Sequence, residues 1–423
     1  MASTLLENIS TPQSLRNAWA KLNKTNKESK GLSTETIQEF QNALESNILE
    51  VSKQLKSGKF RFSKVRGVVI QKKEPGKYRE LRIAEIRDRL VLKAIALELD
   101  GLLSDEYALD NDCSFAYRKK RNIEDAIRRM VDLYKDGNTI ILEADIKNFF
   151  GSVNRPKLLQ EIFSKLPDES LNGLIREGMD QDVGNLDELG EHQKLFDESL
   201  SGIPQGNALS PLMANIYLSS FDKRMTSAGY KMIRYADDFI VMCRSYDEAS
   251  NALALAKDEL ESNLGLTIHP ISDPHDEKGK TRIADPKYHK FSFLSIRFNG
   301  LELWVNEKKL LQLKELVREV TDVTDGQSLL QTLKKTKNLL EGWLAAFKFV
   351  NVDRDIDEID SYINYQLFMS FRKMGFVLNS KHIGNVTINK TKRQGLTPLQ
   401  RMNSGIPLCR DFLNKMERNQ IFI

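Results

Sequence analysis

Three aspartates stand where such side chains can bind metal ions. Asp145 directly follows the largely apolar run 139–144, and Asp237 and Asp238 lie together near the middle of the apolar segment 231–243. An adjacent Asp pair is also common in turns, but two neighbouring carboxylates at the tip of a buried hairpin are costly without a cation. Hard divalent cations prefer oxygen ligands from a few carboxylates. The pattern predicts a divalent-cation site, provided that the strand and the hairpin are neighbours in one sheet.

The elements around these aspartates mix strands with helices. Residues 139–144 predict a strand that ends at Asp145, and residues 231–243 predict two short strands around a tight Ala-Asp-Asp turn. Further segments have the periodicity of helix or strand: helices within 1–60, 83–99 and 306–345, and strands at 67–71 and 291–298. The segment 166–200 is interpreted as a polar, acidic insertion. This intermixing predicts an α+β fold.

The helix predicted at 83–99 has an apolar stripe of Ile83, Ile86 and Leu90, followed by Ala94 and Leu97. Its charged residues at 87–89 are expected to lie mostly off that stripe and therefore outside the core.

Composition describes a chain that packs two or three units around substantial cores. It has 423 residues, of which 40% are hydrophobic and 29% charged. No apolar run approaches the roughly 18 residues of a membrane helix, and residues 1–13 lack a signal-peptide pattern. The three cysteines are far apart, which predicts reduced core thiols and neither a disulfide framework nor a zinc site. We expect a cytoplasmic protein without a membrane partner.

The net charge of +4 conceals an uneven distribution. Residues 53–93 carry 14 Lys or Arg against 4 Asp or Glu, residues 371–418 carry 10 against 2, and residues 168–198 carry 2 against 10. Two basic blocks that flank an acidic section fit a protein that grips phosphate backbones at two places. Solvated helix faces explain each block equally well when it is taken alone.

Six blocks of sequence, in order, resemble the motifs of reverse transcriptases. They are RELRIAEIRDRLV at 79–91, SFAYRKKRNIEDAI at 114–127, ADIKNFFGSV at 144–153, GIPQGNALSPLMANIYL at 202–218, RYADDFIV at 234–241, and LGLTIHP with KTRI at 264–270 and 280–283. The style of the motifs is similar to the bacterial group II intron-like lineage. Within it, the chain most resembles the stand-alone, defence-associated enzymes of the so-called unknown groups.

The resemblance implies a right-hand polymerase with fingers, a palm built on an antiparallel sheet, and a helical thumb. The expected division is an N-terminal helical region at 1–60, fingers and palm at 61–300, a thumb at 301–375 and a basic C-terminal extension at 376–423. The implied reaction is RNA-directed synthesis of cDNA from dNTPs by two-metal nucleotidyl transfer. Two Mg²⁺ ions, or Mn²⁺, would be bound by Asp145, Asp237 and Asp238.

The resemblance also assigns residues to the incoming nucleotide. Phe150 stands where the family places an aromatic ring against the sugar, so a 2′-hydroxyl would clash with it. Gln205 and Gly206 match the nucleotide-contacting pair, and a glycine lets the backbone approach a base pair closely. The remaining nucleotide-binding assignments are Tyr235, Lys77 and Arg79, the last two at the triphosphate.

Two further assignments each have an equally simple alternative. Lys280 matches the position proposed to protonate the departing pyrophosphate, although a lysine in a charged loop is more often only solvated. Arg118 is expected to bind the RNA template or the nucleotide, although solvation alone would also explain an arginine there.

The resemblance leaves several biological roles open. The first is a stand-alone enzyme that copies a dedicated non-coding RNA in antiphage defence. Alternatives are a group II intron-derived maturase or RNA-binding splicing cofactor, a retron-type enzyme, and a protein-primed or template-independent DNA polymerase. An RNA-dependent RNA polymerase also uses a double-Asp hairpin, but Phe150 makes ribonucleotide use less favourable. The template, the priming hydroxyl, the fate of the product and the oligomeric state are not encoded in any motif.

Overall fold

Helices and short strands alternate along the chain. The computed structural model describes residues 3–71, 76–196, 201–323, 326–377 and 383–422. The chain forms two compact units. The first comprises residues 1–126, 142–272 and 279–283, and the second comprises 127–141, 273–278 and 284–423. Every residue assigned above to the catalytic, metal, nucleotide or RNA site lies in the first unit.

The first unit contains most of the helices, and α6 (Ile123–Lys135) crosses the division between the units. Its other helices are α1 (Leu5–Ile9), α2 (Pro12–Lys21), α3 (Ile37–Asn42), α4 (Leu44–Lys56), α5 (Ile86–Leu103), α7 (Phe149–Ser152), α8 (Arg155–Lys165), α9 (Asn172–Met179), α10 (Ser210–Tyr217), α11 (Ser219–Ser227) and α12 (Tyr246–Lys257). A 3₁₀ segment (Leu186–Phe196) and a π-helical turn (Asp258–Asn263) complete this set.

The N-terminal helices begin at threonines and pack through apolar side chains. The side chains of Thr4, Thr11 and Thr36 cap α1, α2 and α3, each accepting a hydrogen bond from a backbone N–H of the first turn. Trp19 and Phe40 are buried and stack with ring centroids 5.1 Å apart. Helices in residues 1–60 are therefore confirmed.

The strands of the first unit form two sheets. In one, β1 (Arg66–Gln71) pairs antiparallel with β2 (Tyr78–Ile83). In the other, β3 (Ile140–Asp145), β4 (Lys231–Tyr235), β5 (Asp238–Cys243) and β6 (Arg282–Ala284) lie in the order β4-β5-β3-β6. Because β3 and β5 are neighbours, the condition for the predicted cation site is met.

Helix α5 differs from its prediction in two respects. Ile83, predicted as its first apolar residue, ends β2 and pairs with Arg66, so the helix begins at Ile86. Asp88, expected off the apolar stripe, is fully buried. The reason is that α5 is covered on more than one side, and Asp88 accepts a hydrogen bond from the Ser63 N–H at 2.8 Å.

The segment 166–200 is more ordered than a polar insertion would be. Its helix α9 packs on α5 through Ile175 and Met179, which are buried. Gly178 allows this close approach, because a Cβ there would lie 2.7 Å from the Leu92 side chain. The acid within α9, Glu177, is half-buried and accepts a hydrogen bond from the Phe62 N–H at 2.7 Å, so the acidic composition of the segment does not reveal this packed face. Residues 197–200 lie outside the described part.

The second unit contains two small sheets and the remaining helices. Strands β7 (Phe291–Phe293), β8 (Ile296–Phe298) and β9 (Leu303–Val305) form one sheet, and β10 (Gly384–Ile388) pairs with β11 (Thr391–Gly395) in the other. The helices are α13 (Glu307–Thr321), α14 (Leu329–Phe347), α15 (Ile356–Lys373), α16 (Pro398–Asn403) and α17 (Cys409–Asn414). The sheet β7–β9, the helices and the extension all belong to this unit, whereas the predicted boundaries fell at 300 and 375.

Two sequence predictions in the second unit are wrong in detail. Residues 291–298 form a hairpin and not a single strand, because Leu294 and Ser295 adopt positive φ angles of 50° and 69°. Phe293 and Leu294 are consecutive apolar residues, so the alternation shifts by one position there, but no glycine, proline or asparagine marks the turn. The helix predicted over 306–345 is interrupted after Thr321 and restarts at Leu329, where Ser328 and Gln331 form a capping box.

Two predictions from composition agree with the described residues. Cys113, Cys243 and Cys409 are buried free thiols. Within the described part, no helix combines the length and the apolar character needed to cross a bilayer.

Candidate active site

The hairpin β4–β5 presents the aspartate pair at a two-residue turn. Tyr235 pairs with Asp238, which leaves Ala236 and Asp237 to connect the strands. Ala236 has a φ of 60°, a left-handed conformation that costs an L-residue roughly 1–2 kcal/mol. The flanking residues of both strands are buried, so the turn is held by core packing on each side.

A buried arginine also holds this turn in place. The Arg234 guanidinium donates to both carboxylate oxygens of Asp222, at 2.7 and 2.5 Å, and to the Ala236 carbonyl at 2.9 Å. A fourth bond, at 3.1 Å, reaches the side-chain oxygen of Asn215. Arg234 and Asp222 are 1% and 2% exposed, so this ion pair is shielded from water. It connects the turn to α10 and α11.

The turn and the end of β3 bring negative charges together. The pKa of Asp237 is raised by loss of hydration and by the charge of Asp145. Although Asp238 is exposed, its pKa is raised to about 7, first by loss of hydration and then by the charges of Asp237, Asp145 and Glu143. Carboxylates that repel one another in this way favour a bound cation between them.

The carboxylate oxygens of the three aspartates suit a hard divalent cation, but they do not converge on one metal position. Across the described residues, no three His, Cys, Asp or Glu side chains converge closely enough to hold a metal ion without other ligands. Mg²⁺ is commonly bound by one or two carboxylates together with water and substrate phosphates. The aspartates therefore fit a cation that arrives with the nucleotide, and the residues that would hold it are Asp145, Asp237 and Asp238.

An ammonium group and an imidazole face Asp145. The Lys280 ammonium donates to its carboxylate at 2.6 Å, and the Nε2 atom of His269 lies 3.7 Å from the same oxygen. The backbone N–H of His269 also donates to the Asp145 carbonyl at 3.1 Å. The pKa of His269 is lowered by loss of hydration and by the charge of Lys280. Lys280 thus lies at the carboxylate cluster and is not simply a solvated loop residue.

Phe150 lies on the short helix α7, which begins four residues after Asp145. Its ring packs edge-on against Phe149, which is buried, with centroids 5.4 Å apart. Its carbonyl accepts a hydrogen bond from the Ile203 N–H at 2.7 Å. Gly202 adopts a φ of 85°, and a Cβ there would lie 2.8 Å from the Phe150 carbonyl. The backbone contact therefore joins Phe150 to the segment that carries Gln205 and Gly206.

Gln205 and Gly206 are tied to strand β2. The Gln205 carbonyl accepts a hydrogen bond from the Arg82 N–H at 2.8 Å, and a Cβ on Gly206 would lie 2.8 Å from the Arg82 carbonyl. Gly206 has a φ of 99°, so a glycine is required both by conformation and by this close approach. Phe150, Gln205 and Arg82 line one pocket of about 360 Å³.

The predicted triphosphate residues lie at the start of β2, near the carboxylates. Arg79 is exposed, and its charge lowers the pKa of Asp237, so the two groups are within electrostatic range. Lys77 is exposed, and its charge contributes to lowering the pKa of His269. Tyr235 is half-buried, and loss of hydration raises the pKa of its hydroxyl.

Arg118 is engaged inside the protein. Its guanidinium lies 3.2 Å from an Asp100 carboxylate oxygen, and its side chain is 8% exposed. The hydrogen bond to Asp100 satisfies a charge that a template phosphate would otherwise neutralise. This geometry does not favour the predicted contact between Arg118 and RNA.

Sequence reasoning missed four residues at the site. His269, Asp222 and Arg234 gave no signal, because their contacts join segments that are distant in sequence. Tyr117 is the neighbour of Arg118, for which RNA or nucleotide binding was predicted. The pKa of the Tyr117 hydroxyl is raised mainly by loss of hydration and further by the charges of Asp237 and Tyr235. Tyr117 has a φ of 62° and lies within electrostatic range of Asp237, whereas the Arg118 guanidinium pairs with Asp100.

A family model supports the interpretation of this site. The model for "Reverse transcriptase (RNA-dependent DNA polymerase)" matches residues 70–272. This range contains Asp145, Asp237 and Asp238. Lys280 lies outside it.

Curated relatives include intron-encoded proteins. The chain is 28% identical over 251 residues to the group II intron-encoded protein LtrA of Lactococcus lactis subsp. cremoris, covering 59% of this chain and 39% of that one. It is 33% identical over 174 residues to an uncharacterized 91 kDa protein in the cob intron of Schizosaccharomyces pombe, covering 41% and 20%. It is 27% identical over 174 residues to YkfC of Escherichia coli K12, covering 40% and 43%. The match spans less than half the length of each relative.

Solved structures with similar segments include a Cas complex and a telomerase. A partial Cas6-RT-Cas1–Cas2 complex has a TM-score of 0.35 at 25% identity, covering 67% of this chain and 44% of that one. Telomerase from Candida albicans, in complex with a telomeric RNA fragment, has a TM-score of 0.41 at 13% identity, covering 81% and 66%. These scores are low, and the assignment rests on the family model and on the α+β architecture with its carboxylate hairpin. The matched part of the chain, residues 70–272, is therefore similar to a reverse transcriptase (RNA-dependent DNA polymerase) domain, and 251 residues of the chain are similar to a group II intron-encoded protein.

Proposed function

We propose that the whole chain is an RNA-directed DNA polymerase that extends a primer with dNTPs on an RNA template. The observation that carries this proposal is the meeting of Asp145 and the Asp237–Asp238 pair on adjacent strands of one sheet. Crowded carboxylates at neighbouring strand ends are what two-metal nucleotidyl transfer requires of a protein. Two Mg²⁺ ions, held by these aspartates, would activate the primer hydroxyl and neutralise charge on the leaving pyrophosphate.

The surrounding side chains have separate tasks in this proposal. Arg79 and Lys77 bind the triphosphate, and Arg is suited to paired contacts with phosphate oxygens. Gln205, Gly206 and Tyr235 contact the nucleotide. The Lys280 ammonium, which lies 2.6 Å from Asp145, holds the proton that the departing pyrophosphate needs.

The sugar is selected by Phe150. Its ring is half-buried and packs edge-on against Phe149, and its backbone carbonyl accepts a hydrogen bond from the Ile203 N–H. A ring placed against the sugar would exclude a 2′-hydroxyl by steric conflict. This supports deoxynucleotides as the substrate class.

The decisive test replaces the hairpin aspartates. Asp237→Asn with Asp238→Asn is expected to abolish primer extension, because amides neither repel one another nor attract cations as carboxylates do. Far-UV circular dichroism and RNA binding should be preserved, since neither substitution removes core packing. A matched control, Asp105→Asn with Asp136→Asn, makes the same change at two exposed positions and should extend primers normally. Synthesis by the hairpin variant would rule out the metal assignment.

The biological role that we propose is copying of a dedicated non-coding RNA in antiphage defence by a cytoplasmic, stand-alone enzyme. Its support is the resemblance of the six motifs to the defence-associated group. A second candidate is a maturase or splicing cofactor, favoured by the similarity to a group II intron-encoded protein over 59% of the chain.

These two roles differ in the nucleic acid that the protein carries. We would purify the protein from its host cells and sequence the RNA and DNA bound to it. A single abundant non-coding RNA with complementary DNA is expected for the defence role. An intron RNA without matching DNA would favour the splicing role, and diverse RNA without DNA would contradict a dedicated template.

A further inference from the structure

The C-terminal extension contains a two-stranded ribbon that packs against helix α15. Strands β10 and β11 pair in register from Gly384–Gly395 to Ile388–Thr391, and no other strand of the described chain joins them. The turn between them is Asn389-Lys390, with φ angles of 48° and 63°. Two successive positive φ angles characterise the primed turns, whose twist matches that of the strands.

One face of the ribbon is anchored. Val386 is 7% exposed, and a Cβ on Gly395, which pairs with Gly384, would lie 2.9 Å from the Val386 side chain. Arg393, which pairs with Val386, places its guanidinium 5.7 Å from the ring of Tyr365 on α15. The Leu396 N–H donates to the Asn364 carbonyl of the same helix at 3.1 Å. These contacts fix the orientation of the ribbon on α15.

The opposite face is polar throughout. Side chains alternate between the two faces of a strand, and directly paired residues share a face. Asn385 pairs with Gln394, and Thr387 pairs with Lys392, so all four occupy the face away from α15. All four are exposed, as is Lys390 at the turn. This outer face therefore combines two amides, one hydroxyl and one ammonium, with a second ammonium at the turn.

The sequence around the ribbon contains no acidic residue. Residues 361–410 contain eight Lys or Arg and no Asp or Glu. Among the described residues, neither Lys390 nor Lys392 forms an ion pair, in contrast to Lys373, which lies 3.4 Å from Asp322. A fifty-residue segment without any acid maintains a positive potential that attracts polyanions.

We propose that this outer face, which we call the ribbon face (Asn385, Thr387, Lys390, Lys392 and Gln394), binds a double-stranded stem of RNA. The two lysines would contact phosphates. The amides and the hydroxyl would contact 2′-hydroxyls and base edges in the minor groove.

The chemistry of the ribbon face favours this partner over others. Ammonium groups alone would suit any polyanion, but amide and hydroxyl side chains add donors and acceptors for the 2′-hydroxyl, which DNA lacks. The minor groove of A-form RNA is wide and shallow, so short side chains such as Asn385 and Thr387 can reach its floor. The face has no aromatic residue for stacking unpaired bases, which makes a single strand a poorer fit.

This inference rests on the proposed function, because it supplies the RNA partner of the same enzyme. It adds a contact that does not belong to the polymerase site, since all catalytic assignments lie in the first unit and the ribbon lies in the second. The ribbon face would hold a folded part of the RNA, and the copied strand would pass through the polymerase site.

The test compares three double variants of the full chain. The charge variant is Lys390→Gln with Lys392→Gln, and the amide variant is Asn385→Ala with Gln394→Ala. The matched control, Lys223→Gln with Lys231→Gln, removes the same charge from two exposed positions of the first unit. Thermal unfolding of each variant establishes that the fold is retained.

Binding is measured by fluorescence anisotropy with an RNA stem-loop and a DNA stem-loop of the same sequence, without dNTPs, between about 50 and 200 mM salt. The charge variant should bind RNA about tenfold more weakly, with a slope of log affinity against log salt smaller by about 2, one for each lost phosphate contact. The amide variant should lose most of the preference for RNA over DNA. The control should match the wild type in both respects.

The outcomes separate this proposal from the polymerase assignment. A charge variant with the salt slope of the wild type overturns the ribbon face as a nucleic-acid contact. An amide variant that weakens both stem-loops equally overturns the selection of RNA. Failure of the wild type to extend any primer would contradict the proposed function. The anisotropy measurements are independent of that result, because they test only whether the ribbon face binds RNA.

Discussion

Single side chains at the site owe their properties to crowding and lost hydration. Asp237 and Asp238 both have a raised pKa, and each is affected by the charge of Asp145. Lys280 and Arg79 partly compensate for this negative charge. A cation that arrives with substrate would replace mutual repulsion by attraction, which couples nucleotide binding to assembly of the site.

Phe150 provides the first prediction at this scale. Phe150→Ala removes the ring that is proposed to conflict with a 2′-hydroxyl, so incorporation of ribonucleotides should rise relative to deoxynucleotides. The measurement is kcat/KM for a matched dNTP and rNTP on one primer-template, and the expected change in their ratio is about tenfold or more. Phe149→Leu, a change at the buried neighbour, serves as the control for altered packing. An unchanged ratio in Phe150→Ala would remove the gate role.

Asp88 provides the second prediction, which concerns the free energy of unfolding. Burial raises its pKa from 3.8 to about 6, despite the hydrogen bond from Ser63 and the nearby charge of Arg87. In the unfolded chain this carboxyl loses its proton near pH 4. Between about pH 4 and 6 the folded state therefore binds more protons than the unfolded state, and its stability falls as the pH rises. Above about pH 6, the buried charge of Asp88 lowers the free energy of unfolding by about 3 kcal/mol relative to its value below pH 4.

Asp88→Asn should remove this cost, because an amide oxygen can still accept the hydrogen bonds from Ser63 and Gln181. At pH 8 the variant is expected to be more stable than the wild type by up to about 3 kcal/mol, and the difference should vanish toward pH 4. Urea unfolding of both proteins across this range measures the difference. A constant difference at every pH would contradict the raised pKa.

At the scale of elements, the hairpin β4–β5 depends on helices packed behind it. Arg234 connects the Ala236 carbonyl to Asp222 on α11 and to Asn215 on α10. Since Ala236 has a positive φ, the turn that carries Asp237 needs this external support.

Arg234→Lys should therefore reduce kcat about tenfold or more while leaving a folded protein. A lysine keeps the charge beside Asp222 but cannot make the paired contact and reach Ala236 at the same time. Arg401→Lys is the matched control, because Arg401 is also fully buried and pairs with Asp360 at 2.6 Å in the second unit. Both variants should lose stability, and kcat should fall in Arg234→Lys alone. If both variants lost kcat equally at a temperature well below their unfolding transitions, Arg234 would have only a general role in packing.

At the scale of the whole molecule, the distribution of charge matters more than its sum. The net charge is +4, yet residues 53–93 have a surplus of ten positive charges and residues 361–410 contain eight Lys or Arg with no acid. Binding to RNA should accordingly weaken by about 10³-fold or more between about 50 and 200 mM salt, as expected for six or more phosphate contacts. Affinity measured across that range checks this. A shallow dependence, of one or two contacts, would mean that one of the basic regions is only solvated.

Some features of this protein were determined by sequence alone. The strand ending at Asp145, the hairpin that carries Asp237 and Asp238, the N-terminal helices and the α+β class all follow from local periodicity and turn chemistry. These signals are short in range, and each is contained within about ten residues. The motif resemblance is of the same kind, since each block is contiguous.

Tertiary structure decided the contacts between distant segments. The pairing of Arg234 with Asp222, the placement of His269 and Lys280 at Asp145, and the turning of Arg118 toward Asp100 have no local signal. Burial of Asp88 and the second apolar face of α5 depend on α9, which arrives some eighty residues later. The periodicity of a segment reports which face is apolar, but the identity of the partner on that face is a property of the folded chain.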